Sequence, residues 1–266
     1  MTELPQTKSA LIQLLQVETD TFEEVLSQAP RFYRCRWERK PAGGRRRIEE
    51  PGSSLKEIQR CLNHRLFQKL DGLPNVYPQK GTSHKDALKP HESQPVVVTL
   101  DIKDFFPSIR RHRLKQLFLR KGFCAEISNH LLRLVTYRGH LPQGAPSSSA
   151  IARLYILDLV SDLEKYLKDI PSLRITVFAD DIVISGPEGT QRTIPGLMRL
   201  APRYGLKINK RKIKVMRGQE QKALGVCMFP HLHLDKEFSD EAERLRDQGN
   251  KRSYQGKMAY KKFIER

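Results

Sequence analysis

The chain has 266 residues, with 48 Lys and Arg against 30 Asp and Glu, a formal net charge of +18. That length holds one large domain or two small ones with a sizeable core, and the charge calls for a polyanionic partner, since each phosphate neutralised releases condensed counterions. No apolar run approaches the ~20 residues that span a bilayer, no basic helix with a clean apolar face stands out, and the four scattered cysteines form no CxxC pair, so neither a membrane partner nor a zinc or disulfide framework is expected.

The start, MTELPQTKSA, lacks the basic head and apolar core of a secretory signal, so a cytoplasmic location is expected. Residues 8–28 read as one helix, with Leu11, Leu14, Leu15, Phe22, Val25 and Leu26 near one face. The stretch 31–51, RFYRCRWERKPAGGRRRIEEP, changes character. Eight basic residues lie between Arg31 and Arg47, with Phe32, Tyr33 and Trp37 interleaved, and Gly43-Gly44 predicts a hairpin turn. It is either a charged surface hairpin or a basic hairpin that folds over phosphates. Residues 55–73 read as a helix with Ile58, Leu62, Leu66, Phe67 and Leu70 on its apolar face. The turn-rich run to Pro95 contains His84 and His91, both expected to be surface or backbone-capping residues rather than ligands.

PVVVTLDIKDFFPSI (95–109) opens with a continuous apolar run, which suits a strand covered on both faces, and delivers Asp101 at its end. Lys103 and Asp104 alternate away from Asp101, so Asp104 is not a candidate ligand. Helices follow to about residue 121 and over 126–137. In LPQGAPSSS (141–149), Pro142, Gly144 and Pro146 break regular structure, and Ser147 or Ser148 can cap a helix over 149–167.

TVFADDIVISG (176–186) reads as strand, two-residue turn, strand, with Asp180 and Asp181 between the strands. An isolated Asp-Asp is ordinarily a solvated turn. Here the flanks are apolar on both sides, and a buried carboxylate pair is tolerable with a cation beside it. With Asp101, three carboxylates come from two neighbouring strands, the oxygen donors that Mg2+ takes. Two such ions about 3.5–4 Å apart suit phosphoryl transfer to a hydroxyl. Residues 192–204 read as helical; GLKINKRKIKVMRG (205–218) carries six basic residues and no acid; KALGVCMFPHLHLD (222–235) reads as a hairpin; and 239–266 as a basic helical tail.

LDIKDFFPSI, LPQGAPSSS and FADD, in that order, resemble motifs A, B and C of reverse transcriptases, and within that superfamily the chain is most similar to the retron-type bacterial enzymes, over about 31–264. The resemblance implies an α+β right-hand polymerase: N-terminal helix and fingers over 1–94, palm with motif A over 95–112, fingers and palm helices over 113–140, palm with motifs B to E over 141–236, and a minimal thumb over 237–266. It implies an RNA-directed DNA polymerase that takes dNTPs and copies a structured non-coding RNA, its template and primer, into cDNA. Asp101 and Asp180 would ligate two Mg2+ ions, with Mn2+ as a substitute, the Ile102 carbonyl would ligate one of them, and Asp181 is the adjacent acid.

The resemblance also puts Arg46 on the triphosphate through bidentate hydrogen bonds, with Lys40 as a second contact. Phe106 becomes the ring that blocks a ribose 2'-OH, Gln143 the residue beside the incoming nucleotide, and Lys212, closing NxxK, the motif D lysine that acts as general acid to pyrophosphate. Arg45, Arg47, Lys210, Arg211, Lys257 and Lys261 are the expected nucleic-acid contacts. Two segments depart from the retron pattern: ALKPH stands for NAxxH, with Asp86 where Asn is expected, and Leu224-Gly225-Val226 replaces VTG in the primer grip. No ribonuclease H, protease, integrase, maturase or endonuclease segment is expected after the thumb. The implied role is a retron enzyme that primes on a guanosine 2'-OH of its own RNA, makes a branched RNA–DNA hybrid, and serves anti-phage defence with an effector protein. The alternatives are another bacterial defence or CRISPR-linked reverse transcriptase, an RNA-templated RNA polymerase (against which Phe106 argues), and an RNA-binding scaffold with a vestigial site.

Overall fold

The computed structural model describes residues 4–40, 43–70, 75–79, 81–170 and 172–266. The chain divides into two compact units, whose described residues fall in Met1–Leu73, Lys103–Val160 and Arg203–Leu206 for the first, and in Pro74–Ile102, Ser161–Pro202 and Lys207–Arg266 for the second.

The first unit is helical around one hairpin. The single helix expected over 8–28 is two, Lys8–Leu15 and Thr19–Gln28. Gln16 takes φ +54°, and its N–H closes on the carbonyls of Ile12 and Gln13, which ends the first helix before its apolar stripe runs out. The strands β1 (Tyr33–Arg39) and β2 (Arg45–Pro51) then pair antiparallel, with Trp37 opposite Arg47 and Glu38 opposite Arg46. Lys40 N–H donates to the Gly44 carbonyl at 3.0 Å across the turn, and Gly44 has φ +82°, a value that costs glycine little. The next helix, Ser53–Arg65, stops short of the expected end and continues as a 3-10 turn, Phe67–Lys69; 71–73 lie outside the described residues. Gln59 is fully buried and its Nε2 donates to both Tyr33 Oη (2.8 Å) and the Leu134 carbonyl (2.7 Å), which ties the hairpin base to the helix Ala125–Val135. Tyr33 also stacks on Tyr137, ring centroids 4.5 Å apart.

The second unit is built on a five-stranded sheet in the order β3-β5-β6-β4-β7, with β3 Val76–Tyr77, β4 Val96–Asp101, β5 Arg174–Phe178, β6 Asp181–Gly186 and β7 Lys214–Arg217. All neighbours pair antiparallel except β3 with β5. Val96, Val97, Val98 and Leu100 are buried, as the unbroken apolar run requires. Of the basic run 205–218, only β7 is strand, and it lies at the sheet edge beside β4. A small hairpin, β8 (Lys222–Ala223) and β9 (Val226–Cys227), follows. Its Val226, with Met228 and Leu234, joins Val97, Val183 and Ile264 in one apolar cluster, which roots the C-terminal helices. The tail is two helices, Lys236–Asp247 and Lys251–Glu265, with Gly249 at φ +74° between them.

His91 is a correction. It is fully buried, not at the surface, and it does not cap backbone. Its Nδ1 lies 2.6 Å from Ser185 Oγ and its Nε2 2.8 Å from Thr176 Oγ1, so it fastens the Lys89–His91 turn to β6 and β5. Burial, with the nearby charge of Arg174, pushes its imidazole pKa down to about 3. His84 instead packs its ring on Phe178, centroids 4.5 Å apart.

Candidate active site

In the second unit, β4 ends on Asp101, which register pairs with Asp181, the first residue of β6. The turn of the acidic hairpin is therefore Ala179-Asp180, one residue earlier than the sequence reading. Ala179 adopts φ +53° there. The Asp180 carbonyl accepts from Ile102 N–H at 2.8 Å, which pins the turn to the residue after Asp101. Asp101 is only 7 % exposed.

The basic run closes the other side. Asn209 N–H donates to the Asp101 carbonyl at 2.8 Å, and Asn209 Nδ2 reaches Asp101 Oδ2 at 3.3 Å. The 3-10 turn Lys210–Lys212 then aims Lys212 Nζ at Asp101 Oδ1, 2.5 Å away. That hydrogen bond raises the lysine pKa. The Asp181 carboxyl is held up at about 6, first by burial and then by the charges of Asp180 and Asp101, against the pull of Lys212. Asp101, Asp181 and Lys212 line a cavity of about 420 Å3 together with Lys214, Lys222 and Gly225.

The donor chemistry fits a hard divalent cation: the acids offer oxygen only, and Asp181 is a carboxyl that burial, and then neighbouring negative charge, makes reluctant to ionise. In this arrangement Asp101 is drawn to Lys212, and among the described residues no three His, Cys, Asp or Glu side chains are grouped to hold a metal ion. Lys210 and Arg211 stand exposed on the same turn. Lys257 pairs with Glu241 at 2.6 Å and lies 4.3 Å over the Phe238 ring, while Lys261 donates to Ser239 Oγ at 3.0 Å, so both join the two C-terminal helices.

The first unit holds the other expected residues. Arg46 sits on β2 with its guanidinium on Glu38 Oε2, 2.9 Å from one nitrogen and 3.0 Å from another. Arg47 lies 3.4 Å from Glu49 Oε1, and Arg45 is exposed at the start of β2. Lys40 is exposed at the hairpin turn. Gln143 is half-buried, and its carbonyl accepts from Glu49 N–H at 2.7 Å. Phe106 lies in the short helix Phe105–Ser108, its ring 5.6 Å from that of Phe105. Asn209 and Glu49 are not among the residues that the sequence singles out. Asn209 opens the NxxK that Lys212 closes and could have been found; Glu49 carries no signal, since an acid in a charged hairpin looks like a solvated one.

The family described as reverse transcriptase (RNA-dependent DNA polymerase) matches residues 38–228. The chain is 31% identical over 231 residues to the Retron Mx65 reverse transcriptase of Myxococcus xanthus, covering 78% of this chain and 53% of that one. It is 29% identical over 171 residues to the Retron Ec86 reverse transcriptase of Escherichia coli, covering 63% and 53%. With the Retron Ec73 reverse transcriptase of Escherichia coli it shares 30% identity over 224 residues, covering 76% and 71%. An apo telomerase from Candida tropicalis shares the fold, with a TM-score of 0.52 at 14% identity over 77% of this chain and 56% of that one. The chain belongs to the reverse transcriptase family, and within it to the retron-type reverse transcriptases. It spans about half the length of the first two retron relatives. No helix among the described residues is long and apolar enough to cross a membrane.

Proposed function

We propose that the chain is an RNA-directed DNA polymerase that copies a structured RNA into cDNA, with fingers, palm and minimal thumb in that division of labour. The observation that carries this is the register pairing of Asp101 with Asp181 beside the Asp180 turn, with Lys212 against Asp101. Such a centre binds what the sequence charge of +18 attracts, and turns binding into chemistry.

Reverse transcriptases use divalent metal. Two Mg2+ ions, or Mn2+ in their place, held by Asp101, Asp180 and the Ile102 carbonyl with Asp181 alongside, would activate the primer hydroxyl and neutralise charge on the dNTP α-phosphate. The protein's own part is positioning and charge. Arg46 exchanges Glu38 for the triphosphate, with Lys40 nearby on the hairpin. Phe106 excludes a ribose 2'-OH. Gln143 borders the nucleotide. Lys212 gives a proton to departing pyrophosphate. Arg45, Arg47, Lys210, Arg211, Lys257 and Lys261 meet backbone phosphates.

The biological role we propose is that of a retron enzyme making branched RNA–DNA in the bacterial cytoplasm, paired with an effector protein in anti-phage defence. The test is sequencing of nucleic acid that co-purifies with the wild type and with the Asp180→Ala, Asp181→Ala double variant. One abundant short cDNA joined to one RNA, absent from the variant, is expected. Heterogeneous RNA without cDNA in either sample overturns the retron role and favours a general-template polymerase or an RNA-binding scaffold.

A further inference from the structure

Within the first unit, strand β2 and the loop before helix Ser148–Tyr166 are joined twice. The main-chain link is Glu49 N–H to the Gln143 carbonyl at 2.7 Å. The approach is close: a Cβ on Gly144 (φ +117°) would lie 2.9 Å from Ile48 Cγ2 and 3.4 Å from the Glu49 carbonyl oxygen. The second link is between side chains. Glu49 is buried, its side chain 3% exposed, and its Oε2 accepts from His140 Nε2 at 2.8 Å. The other oxygen, Oε1, faces Arg47 Nε at 3.4 Å.

His140 is itself held. It exchanges main-chain hydrogen bonds with Tyr137 at 2.9 and 3.1 Å, and its Nδ1 lies 3.4 Å from the Arg138 carbonyl. Tyr137 in turn stacks on Tyr33 of β1. Glu49 is three residues from Arg46 on β2, and His140 is three residues before Gln143. A buried carboxylate is costly unless paired, so the Glu49–His140 contact adds to the main-chain link in holding the two elements together.

We infer that the buried Glu49–His140 hydrogen bond is a positioning element for nucleotide capture: with the main-chain link beside it, it holds the β2 strand against the 141–147 loop and so sets the spacing between Arg46 and Gln143. Neither residue touches substrate in this scheme. The inference rests on the reading that Arg46 and Gln143 face the incoming nucleotide. A residue that only supported the fold would lower the amount of active protein. One that holds the two walls of a binding site weakens dNTP binding while leaving the chemical step alone.

The experiment is steady-state extension of oligo(dT) on poly(rA) by the full chain, with kcat and KM for dTTP measured for Glu49→Leu, His140→Phe and their combination, beside Arg46→Ala and Gln143→Ala. Each pair variant is expected to raise KM about tenfold with kcat within about threefold, and the combination to be no worse than the worse single variant. A KM unchanged in Glu49→Leu, or a kcat that falls with KM unmoved, overturns the inference. Glu49→Leu is close in size and removes the acceptor, so it decides the matter even where His140→Phe fails to fold. If Arg46→Ala and Gln143→Ala also leave KM unmoved, the nucleotide-facing reading falls and takes the inference with it; if they raise KM and the pair variants do not, the inference alone falls.

Discussion

Lys212 Nζ lies 2.5 Å from Asp101 Oδ1, so the basic run that leads into β7 sets its cation on the acid that ends β4. Asp101 faces Asp181 across the β4–β6 register, and the lysine offsets part of that repulsion. Replacing it leaves a nearly buried carboxylate beside another. Lys212→Gln is predicted to destabilise the chain by about 1 kcal/mol in EDTA. Millimolar Mg2+ should then raise the melting temperature of the variant more than that of the wild type, because the divalent ion takes over the charge the lysine supplied. Equal Mg2+ shifts would contradict this.

The raised Asp181 carboxyl has a consequence for stability. Its folded pKa of about 6 lies above the ordinary carboxylate value, so stability that is complete below about pH 4 is lost as pH rises through about 6 and the buried carboxyl is forced to ionise. Asp181→Asn removes that cost. In EDTA the variant should be more stable than wild type by about 1–2 kcal/mol at pH 8, after allowance for solvent screening, and no more stable at pH 4. Urea midpoints at the two pH values measure the difference.

His91 works in the opposite sense. Its folded pKa of about 3 lies below its unfolded value, so between about pH 6.5 and 3 the unfolded chain binds one more proton than the folded one. Stability contributed by the neutral ring is complete above pH 6.5 and falls as pH drops, by at most about 1.4 kcal/mol per unit. His91→Gln, which keeps hydrogen-bonding capacity toward Ser185 and Thr176, should flatten that slope between pH 6.5 and 5. An unchanged slope would show that His91 does not titrate this way.

Trp37 is the chain's single tryptophan and is 66% exposed. By strand alternation and register it shares one face of the hairpin with Arg39, Arg45 and Arg47. A base can stack on the ring while the arginines meet phosphates. Adding a single-stranded RNA oligonucleotide should quench its fluorescence, with an affinity that weakens as salt rises. Fluorescence unchanged at saturating RNA would remove the hairpin from the nucleic-acid surface.

Much of this was legible in the sequence because the chemistry is local. The apolar run ending in Asp101 announced a covered strand, and the apolar flanks of Asp180-Asp181 announced a buried hairpin; both lie in the sheet. Gly43-Gly44 likewise sits at the end of the β1–β2 hairpin, as a glycine pair between two strand-like runs implies. What could not be read depends on partners distant in sequence. His91 sits in a turn-rich stretch with no periodicity, and only the fold brings Ser185 and Thr176 to its two nitrogens. The break at Gln16 was hidden because the apolar spacing carries across it, while one backbone angle ends the helix. Glu49 looked like one more charge in a charged hairpin until His140, 91 residues on, was placed against it.

Primer extension by Asp101→Asn tests the central assignment most directly. The substitution keeps size and hydrogen bonding but removes the charge that Lys212 and a divalent ion would share. On an RNA template with a DNA primer, dNTPs and Mg2+, extension should fall by about a thousandfold or more while RNA affinity stays within about twofold of wild type. Extension within tenfold of wild type, or RNA binding lost in proportion to it, would contradict the assignment of the Asp101 centre to the chemistry.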